Sequence, residues 1–278
     1  MLELLVVVAI VGIVGSILVP ALGRAKRQVL VIVSAANQKH IVGAVNLYAM
    51  DNHDRFPESV ATVGFGDTWN WSDPMKITGN RTRSPGVHRA MSEYLGDYIT
   101  DARVMFCPNA PHQYKYLQES WEAGDDWDNP DTTFPSDPVT GTYCFYWNYT
   151  GYLVEKPYPF RGPSGPGDGR GRSTLMVSDY FGFDHWRSPA SYGSCERFAG
   201  ASMVEETWLL SAYWSIGGGR SKGEVTIRPR AGYADGHVES FAADETITMK
   251  VAVTSDGTAP YPSGLGAGDF YLPADSMR

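Results

Sequence analysis

The residues best placed to do chemistry are carboxylates, and the first of them stands alone. Glu3 is the one charge in the run LELLVVVAIVGIVGSILVPAL, from Leu2 to Leu22. A carboxylate in hydrocarbon costs about 2.5 to 3.5 kcal/mol on insertion scales, so Glu3 either meets a cation or sits at the water interface. Asp235-Gly236 lies between the alternating runs Gly232-Tyr233-Ala234 and His237-Val238-Glu239-Ser240-Phe241. That spacing reads first as a hairpin with a two-residue type I′ turn, and second as an oxygen ligand for a metal. The acidic run from Glu122 to Asp131 reads as a solvated loop before it reads as a cation site. Cys107, Cys144 and Cys195 lack C-x-x-C spacing, and the six histidines form no H-E-x-x-H, so no zinc site is expected. There is no G-x-S-x-G, and Gly217-Gly218-Gly219-Arg220 lacks the Gly-Lys-Ser/Thr of a phosphate loop. No enzyme is expected.

The elements that must carry these residues differ sharply between the two ends of the chain. At about 1.5 Å per residue, Leu2 to Leu22 reaches the ~30 Å hydrocarbon thickness of a bilayer. Arg24, Lys26 and Arg27 follow at once. A cleaved secretory signal fits poorly, because the start is acidic and the run flows into Pro20-Ala21-Leu22-Gly23-Arg24 without a small-residue cleavage site. The positive-inside rule keeps the body outside the cell only if a basic leader once preceded Met1. Beyond the basic residues, Ile32, Ala35, Ala36, Ile41, Val42, Val45 and Leu47 keep helix-like separations. One helix is therefore expected to about Met50, loosened at Gly12, Gly15 and Pro20, and stopped by Asp51-Asn52-His53-Asp54. The remainder, with 30 Gly, 18 Pro, 16 Tyr and 8 Trp in the whole chain, predicts turns and short strands. A net charge of −8 without a basic face excludes a nucleic-acid partner.

The apolar run with its early glutamate, its Pro20 and its trailing basic residues resembles the N-terminal methylation segment of type IV pilins and type II secretion pseudopilins. Downstream, Asn46-Leu47-Tyr48-Ala49-Met50-Asp51-Asn52 through Phe56-Pro57 is similar to the helix exit of the large pilin-like proteins of Planctomycetes, Verrucomicrobia and Lentisphaerae. So are Phe106-Cys107-Pro108, Tyr146-Trp147-Asn148-Tyr149, Leu175-Met176-Val177-Ser178-Asp179 and Tyr233-Ala234-Asp235-Gly236-His237-Val238, in the same order. The H-x9-DG signature of those proteins is degenerate here, with Val225 ten positions before Asp235. The resemblance implies that a prepilin peptidase removes a short basic leader, that the new terminus is methylated, and that Glu3 pairs with the terminal amine of a neighbouring subunit. It also implies that calcium is the metal to consider, with oxygen ligands on offer at Asp179, Asp184, Asp235 and Asp244.

The reading is an α+β chain in two parts: a helix over 1–50, apolar and then amphipathic, and a β-rich head over 51–278 whose antiparallel sheet packs on the helix's second half. Assembly falls to Glu3 with Leu2, Leu4, Leu5, Val8, Ile10, Ile13, Ile17, Leu18 and Pro20. The expected function is a structural subunit of an extracellular, cell-surface type IV pilus-like filament. Its partners are copies of itself, the prepilin peptidase and inner-membrane assembly machinery, with the inner membrane holding it before assembly. A pseudopilin of a type II secretion system is the near alternative, and a membrane-anchored carbohydrate-binding or hydrolytic surface protein the distant one. No cofactor is required. In an oxidising setting a Cys107–Cys144 disulfide leaves Cys195 odd, and three buried thiols is an equal alternative. Asn70, Asn80 and Asn148 stand in glycosylation sequons, which imply exposure only if modified. Trp69, Trp71, Trp121 and Trp127 either pack in a core or seal contacts with sugars or other subunits. The Gly/Pro-rich stretch from Arg161 to Arg172 reads as a surface loop.

Overall fold

The structure is a computed structural model and describes residues 2–61, 73–77, 90–108, 117–123, 141–168, 171–183, 228–242, 244–260 and 269–277. Helix α1 runs unbroken over Leu2–Asp51, 50 residues, straight through Pro20. Its Val and Ile content is high for a helix, so propensity alone does not hold it. Its second half is held by packing instead. Ser34, Gln38, Ile41, Val42, Val45 and Ala49 recur at three and four residues, and all are buried. Burying side chains such as Ile41 and Val42 contributes roughly 1.5 to 3 kcal/mol each.

The end of α1 is built as the sequence suggests. The Asn52 side-chain amide donates to the Tyr48 carbonyl at 2.8 Å, and the Asp54 N–H donates to the Ala49 carbonyl at 2.9 Å. His53 and Asp54 both take φ of 58°, so two left-handed residues in succession reverse the chain. Phe56 then enters the head, its N–H donating to the Ser164 carbonyl at 2.9 Å.

Among the described residues the head holds two antiparallel sheets where one was expected. The first has the order β1-β4-β6-β7, with β1 at Tyr143–Phe145, β4 at Leu175–Asp179, β6 at Arg230–Tyr233 and β7 at Val238–Ser240. The second has the order β3-β2-β8-β9-β5, with β2 at Thr150–Leu153, β3 at Phe160–Arg161, β5 at Gly182–Phe183, β8 at Thr246–Val251 and β9 at Asp269–Pro273. The first sheet is the middle layer. Strand alternation sends Tyr143, Phe145 and Trp147 into the cluster built on α1, and Cys144 and Tyr146 into the cluster shared with the second sheet. A bulge between Leu175 and Val177 breaks that alternation in β4, so Met176 and Val177 both serve the helix side. The short helices α2 (Met91–Leu95) and α3 (Leu117–Ala123) close the flank of α1, with the Trp121 indole N–H donating to the Ile99 carbonyl at 2.7 Å.

The Asp-Gly hairpin forms, but with a different turn. The Tyr233 N–H donates to the His237 carbonyl and the Gly236 N–H to the Tyr233 carbonyl, so three residues, not two, lie between the paired Tyr233 and His237. Of these only Gly236 has positive φ, +89°. This is a type I turn followed by a left-handed glycine, which frees Asp235 from the positive φ that a type I′ turn requires.

Candidate assembly surface

α1 divides into a half that packs on the head and a half that, among the described residues, packs on nothing. From Leu4 to Leu18 the assembly residues Leu4, Leu5, Val8, Ile10, Ile13, Ile17 and Leu18 are 55% to 68% exposed. The most apolar stretch of α1 is long enough to cross a membrane and has none of its residues buried. Pro20 is exposed as well. Leu2 begins the helix, but its side chain lies outside the described residues. Glu3 is exposed and, among the described residues, has no ion-pair partner. The Ser16 hydroxyl, the only polar group between Glu3 and Arg24, donates back to the Ile13 carbonyl at 2.7 Å and so presents little polarity outward.

Where α1 meets the head, polar residues fix its position. Asp179 ends β4 fully buried, and its carboxylate accepts from the Gln38 amide and from the Arg230 N–H, both at 2.9 Å. Ser34 Oγ and Tyr143 Oη stand 2.9 Å apart one helical turn away. Burial, with the Asp179 carboxylate nearby, pushes the Tyr143 phenol up and keeps it protonated. Asn37 donates to the Phe106 carbonyl and Asn46 to the Ala234 carbonyl, each at 3.1 Å. Sequence reasoning passed over this set. The available signal was Ser34 and Gln38, two polar residues four apart on the face that continues with Ile41 and Val45. Gly232 completes the seat: a Cβ there would stand 3.0 Å from Val177 Cγ1 and 3.2 Å from Val42 Cγ2.

At the helix exit, two of the motif segments meet. Asn148, at φ 52°, donates from its amide to the Phe56 and Pro57 carbonyls at 3.1 and 2.8 Å. That engagement, with Tyr149 only 1% exposed beside it, makes the Asn148 sequon a structural asparagine rather than an acceptor for sugar. The Asn70 and Asn80 sequons lie outside the described residues. Residues 161–168 of the Gly/Pro-rich stretch pack against this exit, where the Phe56 N–H meets the Ser164 carbonyl. The Asp168 carboxylate accepts from the Ser164 hydroxyl and N–H and from the Gly165 N–H, which holds its pKa down, and Arg172 donates to the Gly162 carbonyl at 2.7 Å.

Two expectations about sites are corrected. Asp179, Asp235 and Asp244 do not form a calcium site. Asp179 is buried between α1 and the first sheet, Asp235 is exposed on the hairpin with His237, and Asp244 is exposed before β8. Among the described residues no three His, Cys, Asp or Glu side chains are grouped to hold a metal ion. Asp184, Gly217–Arg220, Trp69, Trp71 and Trp127 lie outside the described residues, as does most of the acidic run. Nor are Cys107 and Cys144 bonded to each other. Cys107 is disulfide-bonded, with its partner outside the described residues, and Cys144 is a free buried thiol. The physical reason is the middle sheet: Cys107 packs on its helix side and Cys144 on the other. Trp121 is a core residue, 5% exposed.

Compared with known proteins, the chain matches no family model, no curated protein and no solved structure.

Proposed function

We propose that this chain is a structural subunit of an extracellular type IV pilus-like filament, held in the inner membrane by α1 before it polymerises through that helix. The observation that carries the reading is the contrast along α1: an apolar first half that nothing among the described residues covers, continuous with a second half seated in a head. Apolar surface on this scale has two stable destinations, lipid and the apolar helices of other copies. A filament subunit uses both in turn. The disulfide at Cys107 supports an oxidising, extracytoplasmic head. The N-terminal segment's likeness to prepilin methylation segments supplies the class.

The test is negative-stain electron microscopy of sheared surface material from the native organism, with mass spectrometry to identify the subunit and its mature terminus. Long fibres made of this chain are the expected result. Recovery from the envelope alone, without fibres, favours the pseudopilin. A head beginning at residue 28 that binds or cleaves glycans as a monomer favours the surface protein of another class.

A further inference from the structure

Between Glu3 and Asp51, α1 carries no acidic residue, and its Lys and Arg residues are Arg24, Lys26, Arg27 and Lys39. The first three share one helical turn directly after the apolar run ends at Leu22, with only Ala25 among them and Gly23 before them. At about 100° per residue they stand near 0°, 200° and 300° around the axis, a collar rather than a stripe. All three are exposed, and among the described residues none has an ion-pair or hydrogen-bond partner. With α1 across the inner membrane and the head outside, the collar lies on the head's side, against the positive-inside rule. It therefore does not serve to orient the span.

We infer that the Arg24–Lys26–Arg27 collar binds the phosphates of anionic phospholipids in the leaflet on which the head stands, and so holds the subunit in the bilayer before it polymerises. The inference rests on the membrane-held filament reading, and it names the ligand of the subunit in that state. Depth carries the assignment. Glu3 and Arg24 are 21 positions apart, about 31 Å at 1.5 Å per residue, which matches a hydrocarbon core of ~30 Å. The headgroup layer adds roughly 5 to 7 Å on each side, and Arg24 to Arg27 covers about 4.5 Å of helix axis, within that layer. Lys39, about 18 Å beyond Arg27, stands clear of it and past the ~8 Å screening length of physiological salt. A guanidinium can donate two parallel hydrogen bonds to one phosphate, and the Lys26 ammonium adds a point charge. The competing anion is the Glu3 carboxylate of a neighbouring span. In a shared membrane that carboxylate lies at the opposite face, so the lipid phosphate is the anion at the collar's depth.

The experiment places the full-length chain in nanodiscs of equal parts phosphatidylglycerol and phosphatidylcholine and counts, by native mass spectrometry, the lipids that stay bound to it. Phosphatidylglycerol is expected to be retained over phosphatidylcholine by at least about fivefold, the effect of one basic residue at an anionic surface. Arg24→Gln combined with Lys26→Gln and Arg27→Gln should bring that ratio to about one. Arg24→Lys combined with Arg27→Lys should keep it high, and Lys39→Gln should leave it unchanged. The same spectra report insertion, so a ratio lost by a chain still in the bilayer is a lost site. Equal retention of the two lipids by the native chain, a ratio that survives the triple substitution, or one that falls as far with Lys39→Gln overturns the inference and leaves the filament reading standing. A native chain that does not enter the nanodiscs overturns both.

Discussion

Asp179 shows what a single buried carboxylate does at the joint between helix and head. Replacing it by alanine leaves the Gln38 amide and the Arg230 N–H facing a dry gap, each an unsatisfied buried donor. Asp179→Ala is therefore expected to destabilise the head by about 3 kcal/mol, and Asp179→Asn, which keeps one acceptor, by roughly half that, read as a shift in denaturant midpoint. Asn148 makes a second test. Its amide bridges Phe56 and Pro57 while its backbone is left-handed, so Asn148→Ala loses both bonds and adds strain of about 1 kcal/mol that Asn148→Gly avoids. The alanine variant should melt below the glycine variant. At the same end of α1, the Tyr98 hydroxyl donates to Asp51 at 2.7 Å, and that bond, chiefly, lifts the phenol to about 12. The raised value means that the protonated form is favoured by folding. Its contribution is complete below the unfolded tyrosine pKa and disappears as pH climbs from there through about 12. Tyrosinate difference absorbance of the native chain and of Asp51→Asn should differ by one phenol, which titrates nearer its ordinary value in the variant, while buried phenols such as Tyr143 stay raised in both.

Among elements, the close approaches decide. Gly162 lies so near the Tyr146 carbonyl that a Cβ there would stand 1.6 Å from the oxygen, whereas a Cβ at Gly167 meets nothing. Gly162→Ala must move backbone and is expected to prevent folding or cost several kcal/mol, about the range of severe core substitutions, while Gly167→Ala stays within about 0.5 kcal/mol. Thermal melts of the two variants are the comparison. Gly232→Ala falls between them, because the side chains of Val42 and Val177 can yield. The sequence made α1 legible through to its end, since a long apolar run, an amphipathic continuation and Asp51-Asn52-His53-Asp54 each carry a local signal. It also made legible the hairpin at Gly236. It did not disclose the second sheet, whose strands β3 and β5 are two residues each and have no periodicity to read. The turn type was misread because Asp-Gly suits both a two-residue and a three-residue connection. The pairing of Cys107 was hidden because which face of a sheet a cysteine occupies depends on register, and the bulge in β4 shows how readily register shifts.

For the molecule as a whole, the division along α1 predicts two behaviours from one chain. Removing residues 1–27 takes away the uncovered apolar half and leaves the seated half, so the truncated chain should run as a soluble, folded species by size-exclusion chromatography. The full chain should require detergent or lipid. Cys144 adds a property of a different kind. Its thiol is wholly buried between the two sheets, and burial pushes its pKa up, so it reacts with an alkylating reagent only when the sandwich parts. Labelling at that one position is thus an internal clock for opening of the head. Run on subunits in lipid and again on assembled material, it would time how far assembly slows the opening of the head.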